Sequence, residues 1–212
     1  MKCCLWQDPL SQSMINRRSM EDFRKVTPVR RDNAPDVKNY HEYKPFLRED
    51  FYERCGYCGD HEFFRDTFYE IDHFVPKTLA PEKIKDYSNL VYSCRTCNNS
   101  KRAKWPTKLA DKPNNGNEGW IDPCDSEYSK QFERLSDGSV KAKTVLGQWI
   151  WRELSLGNPI HRLKWSLEQL RVELNRAISL DITDVEEGKQ IMTLFSRYME
   201  LEEQLKGFPN FF

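Results

Sequence analysis

The chain has 212 residues, with 33 Lys plus Arg set against 33 Asp plus Glu, so its formal net charge is zero. With 38% apolar, 13% aromatic and 31% charged residues it falls outside the disordered and membrane classes, and no apolar run approaches the roughly 20 residues needed to span a bilayer. The length suits one elaborated domain or two small ones, and the neutral total argues against a partner held by bulk electrostatics, nucleic acid above all.

Residues 1–39 are rich in Arg, Asp, Asn and Pro without a period and read as an extended N-terminal arm. Met20 begins a more ordinary opening, which makes residues 1–19 an added tail. Met1 to Arg18 lack the apolar core of a signal peptide, so a cytoplasmic location is expected. From Tyr40 to Arg54, Tyr43, Phe46, Leu47 and Phe51 recur at helical spacing and predict a short amphipathic helix.

Cys55 and Cys58 follow as one C-x-x-C pair, and Cys94 and Cys97 form a second. In a reducing compartment paired motifs of this kind read as a metal site, with a thioredoxin-like redox pair or scattered thiols as the alternatives. Zinc takes four thiolates tetrahedrally, and Gly56 and Gly59 suit the tight turn that presents two sulfurs together. Four thiolates leave no open position, so the expected zinc is structural. Cys3, Cys4 and Cys124 have no assignable role.

Between the pairs, Phe68 to Val75 (FYEIDHFV) alternates as a strand that Pro76 ends, and Ser88 to Ser93 is a second extended segment. Asn98 to Lys104 predicts a helix stopped at Trp105-Pro106. Asp72 and His73 are strand neighbours whose side chains diverge, so one can hold an ion while the other reaches a water beside it. Asn98 directly follows the second cysteine pair, where zinc ligation would fix it relative to the strand. A carboxylate plus an amide oxygen is a hard, incomplete ligand set suited to Mg²⁺ or Mn²⁺. Imidazole suits proton removal from water near neutral pH. Together with a nearby Lys these residues read as metal-assisted phosphodiester hydrolysis. Glu70, two residues before Asp72 on the same strand face, is placed either to support Asp72 or in solvent. The bland readings are a plain strand end for Asp72-His73, a turn former for Asn89 and the solvated position for Glu70. His41, His61 and His161 lie outside any motif and are expected at the surface or on helices.

The ordered set Asp-His-x-x-Pro, Asn-Leu-Val and Cys-x-x-Cys-Asn-x-x-Lys, interleaved with the cysteine pairs from Cys55 to Trp105, resembles the HNH endonucleases. The resemblance implies a ββα-metal core braced by a four-cysteine zinc site. It implies His73 as the general base, Asp72 and Asn98 as ligands of the catalytic ion, Asn89 as the brace of the loop between strand and helix, and Lys101 as a phosphate contact. It also implies products with 5′-phosphate and 3′-hydroxyl ends. The position that is often His in this family is Asn98 here, which favours Mg²⁺ or Mn²⁺ over softer ions. More loosely, Pro28-Val29-Arg30-Arg31 and Trp120-Ile121-Asp122-Pro123 are similar to HNH proteins encoded beside an ATPase in anti-phage systems of the Septu type. That likeness implies an ATPase partner docked on the C-terminal helices.

Residues 111–123 read as a linker, with Trp120 to Pro123 a buried turn packing it back on the core. Phe132–Leu135 and Val140–Ala142 flank Ser136-Asp137-Gly138-Ser139 as a hairpin. Thr144–Leu156, Pro159–Leu180 and Asp184–Leu205 carry apolar residues at helical spacing and read as a packed helical subdomain. The expected fold is therefore α+β: an arm over 1–39, an HNH nuclease core with zinc knuckles over 40–110, and a linker, hairpin and helical region over 111–212. The competing function is a zinc-stabilised module that binds nucleic acid or protein without cutting.

The neutral total hides a division. Residues 1–110 hold 20 basic and 16 acidic residues and residues 111–212 hold 13 and 17, a balance of +4 against −4. Tyr87 to Ala110 contains Arg95, Lys101, Arg102, Lys104 and Lys108 and no acid, the expected DNA-binding stretch directly on the metal-proximal helix.

Overall fold

The structure, a computed structural model, describes residues 21–64, 67–179 and 184–208. The tail expected over residues 1–19, with Cys3 and Cys4, lies outside them. Strand β1 (Glu21–Asp22) opens the described chain, and an extended segment leads to a single 3-10 turn at Tyr40–Tyr43. Asn39 and Glu42 form a reciprocal capping box around that turn. Helix α1 (Lys44–Asp50) continues from it with Pro45 in its first turn and buries Leu47.

Strands β2 (Tyr69–His73) and β3 (Leu90–Cys94) form an antiparallel pair in which Asp72 faces Val91 and His73 faces Leu90. Helix α2 (Arg95–Lys101) follows β3 without a gap. The helix expected over Asn98–Lys104 thus begins three residues earlier, because the Cys94 sulfur caps it by accepting the Cys97 N–H. The second C-x-x-C is the N-terminal turn of the helix rather than a knuckle before it, and Asn98 sits within the helix rather than at its start.

Helix α3 (Ser126–Lys130) leads into β4 (Phe132–Arg134) and β5 (Val140–Ala142), which pair antiparallel, with β1 on the other side of β4. Gly138 turns this hairpin at φ +85°, and a Cβ there would meet the Trp165 ring at 2.5 Å, so only glycine lets the turn lie against the following helices. Helices α4 (Val145–Glu153), α5 (Pro159–Ile178) and α6 (Val185–Lys206) complete the chain, capped by Thr144, Asn158 and Asp184. No helix among the described residues is long and apolar enough to cross a membrane.

One buried cluster runs through the chain up to Leu156, from Phe23 through Leu47, Tyr57, Val91 and Trp105 to Trp120, Tyr128 and Ile150. Two arginines bind the first segment to it. Arg30 gives both guanidinium amines to the Asp122 carboxylate at 3.0 Å each and its Nε to the Leu90 carbonyl at 2.7 Å. Arg31 bonds Asp50 through its backbone and side chain. The Pro-Val-Arg-Arg and Trp-Ile-Asp-Pro segments are therefore physically joined beside β3. A second, smaller cluster of Phe64, Leu163, Leu167, Leu170 and Leu201 packs α5 against α6 and the first cysteine loop.

Candidate active site and metal centre

The four paired cysteines converge and are all buried, each offering a sulfur within 4.8 Å of the others. Cys58 and Cys94, one from each pair, lie 4.0 Å apart. A tetrahedron of sulfurs at about 2.3 Å from zinc has edges of about 3.8 Å, so the spacing and the donor set fit that ion. Burial opposes ionisation of Cys55, but S–H donors from Cys58, Cys94 and Cys97 outweigh it and hold this thiol well below its ordinary value. Gly56 allows the first loop to close: its N–H donates to the Tyr92 carbonyl at 2.7 Å, and a Cβ would strike Phe51 and Val91.

A buried polar group lies beside the cluster. Asp60 accepts from His161 at 2.8 Å and pairs with Lys164 at 3.4 Å. Burial works against the charged ring, yet Asp60 and the Cys58 sulfur push His161 up to about 10. His161 lies on a helix, one of the two places the sequence suggested, but faces the interior rather than the surface. The partners are 101 residues apart, and no local pattern announces them.

On the other side of β2 opens a pocket lined by Tyr40, Glu70, Asp72, His73, Lys77, Asn98 and Arg102. His73 places Nε2 at 2.9 Å from the Ile84 carbonyl. That oxygen can only accept, so Nε2 carries the proton and Nδ1 keeps its lone pair. Burial holds this imidazole below its ordinary pKa, outweighing the Ile84 carbonyl, so the ring is neutral at pH 7. The Tyr40 ring meets it edge-on at 4.8 Å.

Asn89 makes the contacts of a brace. Its amide oxygen accepts the Val75 N–H at 2.8 Å, its amide nitrogen donates to the Val75 carbonyl at 3.1 Å, and its backbone carbonyl accepts the Phe74 N–H. These bonds fix the chain that leaves β2 immediately after His73.

Asp72 is buried, with Oδ2 accepting from the Tyr57 hydroxyl and lying 3.0 Å from the Lys101 ammonium. Burial pushes its carboxyl up, against the pull of Lys101 and Tyr57. Lys101 is fully buried and also donates to the His73 carbonyl at 2.9 Å. The phosphate contact expected of Lys101 is corrected here: a side chain enclosed between Asp72 and the His73 backbone cannot reach a ligand in solution. Its direction was legible, because Lys101 lies one helical turn beyond buried Cys97 on the same face.

Asn98 donates its amide N–H to Glu70 at 2.9 Å, and Arg95 donates to the other Glu70 oxygen at 2.8 Å. Glu70 is thus a paired group rather than a solvated one. Of the expected DNA-binding cations, Arg95 pairs with Glu70 and stacks on Phe68, Lys104 pairs with Glu153 at 2.7 Å, and Arg102 and Lys108 are exposed. Arg102, Lys104 and Lys108 follow α2 rather than riding on it. Tyr57 and Tyr40 are the site residues that sequence reasoning missed; Tyr57 had a signal in its place between two ligand cysteines, and Tyr40 had none. Glu70 had one in its position two residues before Asp72 on the same strand face.

Residues 55–104 match the family model described as HNH endonuclease. This span holds all four cysteines, β2, β3, α2 and every pocket residue named above except Tyr40. Neither a curated protein nor a solved structure matches the chain.

Proposed function

We propose that the chain is a metal-dependent HNH endonuclease that hydrolyses DNA phosphodiester bonds at the pocket between β2 and α2. The observation that carries this reading is His73. Its Nε2–H is fixed on a backbone carbonyl, its ring is neutral, and it stands next to Asp72 inside the segment that matches the HNH model. A base so prepared takes a proton from water at Nδ1 while the oxygen attacks phosphorus. The bond to the 3′ oxygen breaks, and that oxygen takes a proton from solvent water as it leaves, giving a 3′-hydroxyl and a 5′-phosphate.

Asp72 and Asn98 would hold the catalytic Mg²⁺ or Mn²⁺, since Asn98 spends its amide nitrogen on Glu70 and keeps its oxygen for ligation. When bound, the ion supplies charge stabilisation for the phosphorane and the departing oxygen. Lys101 acts behind Asp72, holding a carboxylate that burial alone would neutralise. Asn89 fixes the His73 backbone, Arg102 and Lys108 supply phosphate contacts, and the four cysteines hold zinc as a structural brace. The junction of Arg30 with Asp122 supports the looser likeness to Septu-type proteins, and with it an anti-phage role beside an ATPase partner.

Plasmid DNA incubated with Mg²⁺ or Mn²⁺ tests the reading. The parent chain should nick it, and His73→Ala should abolish nicking while zinc content and helical signal stay unchanged. Unaltered cleavage by His73→Ala overturns the mechanism, and binding without cleavage by the parent favours the non-catalytic module. Copurification from the native operon decides the ATPase partner.

A further inference from the structure

Helix α6 carries two apolar stripes and uses one. Leu194, Tyr198, Leu201 and Leu205, at spacings of four, three and four, pack toward α5 and its cluster. On another face Val185, Met192, Phe195 and Met199 stand at spacings of seven, three and four, and are 77%, 63%, 48% and 39% exposed. Gly188 completes the repeat between Val185 and Met192, and a Cβ there would meet nothing within 4 Å. A seam of this period on a helix that already has its intramolecular partner is the pattern of a helix that packs against a second one.

We propose that this seam joins two copies of the chain, α6 lying antiparallel against α6 about a two-fold axis between Phe195 and Ser196. The charges along the helix select this arrangement. In the antiparallel register Met192 meets Met199 of the other copy, and Lys189 on the flank of the seam meets Glu202 and Glu203. A parallel two-fold pairing would set each of these charges against its own like. Within one copy the same groups make only exposed contacts, Lys189 with Glu186 at 3.2 Å and Lys206 with Glu203 at 2.8 Å. Such pairs are worth little and exchange readily for intermolecular ones. Four apolar side chains per copy make a small interface, so the association is expected to be weak and concentration-dependent. The inference rests on the surface of α6 and is independent of the pocket chemistry.

Sedimentation equilibrium of the full chain from about 5 to 100 µM tests it. The parent's apparent mass should rise from the 25.3 kDa of one chain toward twice that value. Phe195→Glu, at a position open to solvent in the single chain, should stay monomeric throughout with an unchanged circular dichroism spectrum. Lys189→Glu should weaken association several-fold, and combining it with Glu202→Lys and Glu203→Lys should restore it. A parent chain monomeric across the range, leaving the face to a different protein, refutes the proposal. So does a dimer that survives Phe195→Glu, or a triple reversal that fails to restore association.

Discussion

Arg102 ends α2 with φ 46° and ψ −135°, a backbone conformation that glycine enters freely and an L side chain enters at a cost. The residue lines the pocket and its side chain is exposed, so the strain is not repaid by packing. Conformations of this kind cost about 1–3 kcal/mol. Arg102→Gly relieves that strain but enlarges the entropy of the unfolded chain by about 0.5–1 kcal/mol. The net expectation is a stabilisation of about 1 kcal/mol, or a midpoint raised by roughly 2–4 °C for a chain of this size. The same variant removes a cation from the mouth of the site, so its affinity for a labelled duplex should fall and the salt slope should shrink by about one phosphate contact. Arg102→Ala separates the two effects, because it loses the guanidinium and keeps the strain: binding falls and the midpoint does not rise. Thermal unfolding followed by circular dichroism, with anisotropy titrations at several salt concentrations, reads both quantities. A less stable Arg102→Gly protein, or one that binds DNA as the parent does, refutes the reasoning that strain is tolerated here for the sake of the side chain.

Lys101→Met strips Asp72 of its ammonium partner and should cost roughly 3 kcal/mol in urea unfolding while abolishing cleavage; a stable variant with only weakened DNA binding would restore the phosphate-contact role. Cys97→Ser should lose zinc and unfold the site around the four cysteines, because metal affinity is folding energy there; a zinc-free protein that stays fully folded, this site included, contradicts the structural assignment. Asp50 is held below the ordinary carboxylate value by Arg31 and Tyr87 in spite of burial. Its contribution is complete above its unfolded pKa, about 3.9, and is lost as pH falls through its lower folded pKa. Asp50→Asn should therefore flatten the acid limb of stability against pH below about 4, measured by urea midpoints.

What was legible in the sequence was what is set locally. The hairpin turns at Asp137-Gly138, the three C-terminal helices follow from apolar spacing and end where caps permit, and the cysteine pairs declare themselves by their gaps. The start of α2 was misjudged because a cysteine sulfur does the capping usually left to Ser, Thr, Asp or Asn. Glu70 was read as solvated because its partners, Arg95 and Asn98, arrive from the next element, and tertiary structure supplied them. Asp60 and His161 lie 101 residues apart, so no reading of local pattern pairs them.

The same logic gives a role to the four cysteines next to this pocket. Asp72 is held from two directions, and both lead to cysteines. Tyr57 sits between Cys55 and Cys58 and donates to Asp72; Lys101 lies on the helix capped by Cys94 and anchored by Cys97, and pairs with the same oxygen. Asn98, next to Cys97, is fixed by the same turn of helix. A small two-stranded sheet is marginal on its own, and could not by itself hold a buried carboxylate against its tendency to take up a proton. One ion held by all four sulfurs would tie the first cysteine loop to the first turn of α2, so that Tyr57, Asn98 and Lys101 could not shift independently and the distances around Asp72 would be set by sulfur coordination rather than by the weak local packing. Losing zinc should therefore disturb the pocket before the rest of the core: chelation under native conditions should expose the Tyr57 hydroxyl and release Lys101 while the α4 and α5 amides remain protected from hydrogen exchange. Simultaneous loss of protection everywhere would mean that the metal supports the whole fold and not this site in particular.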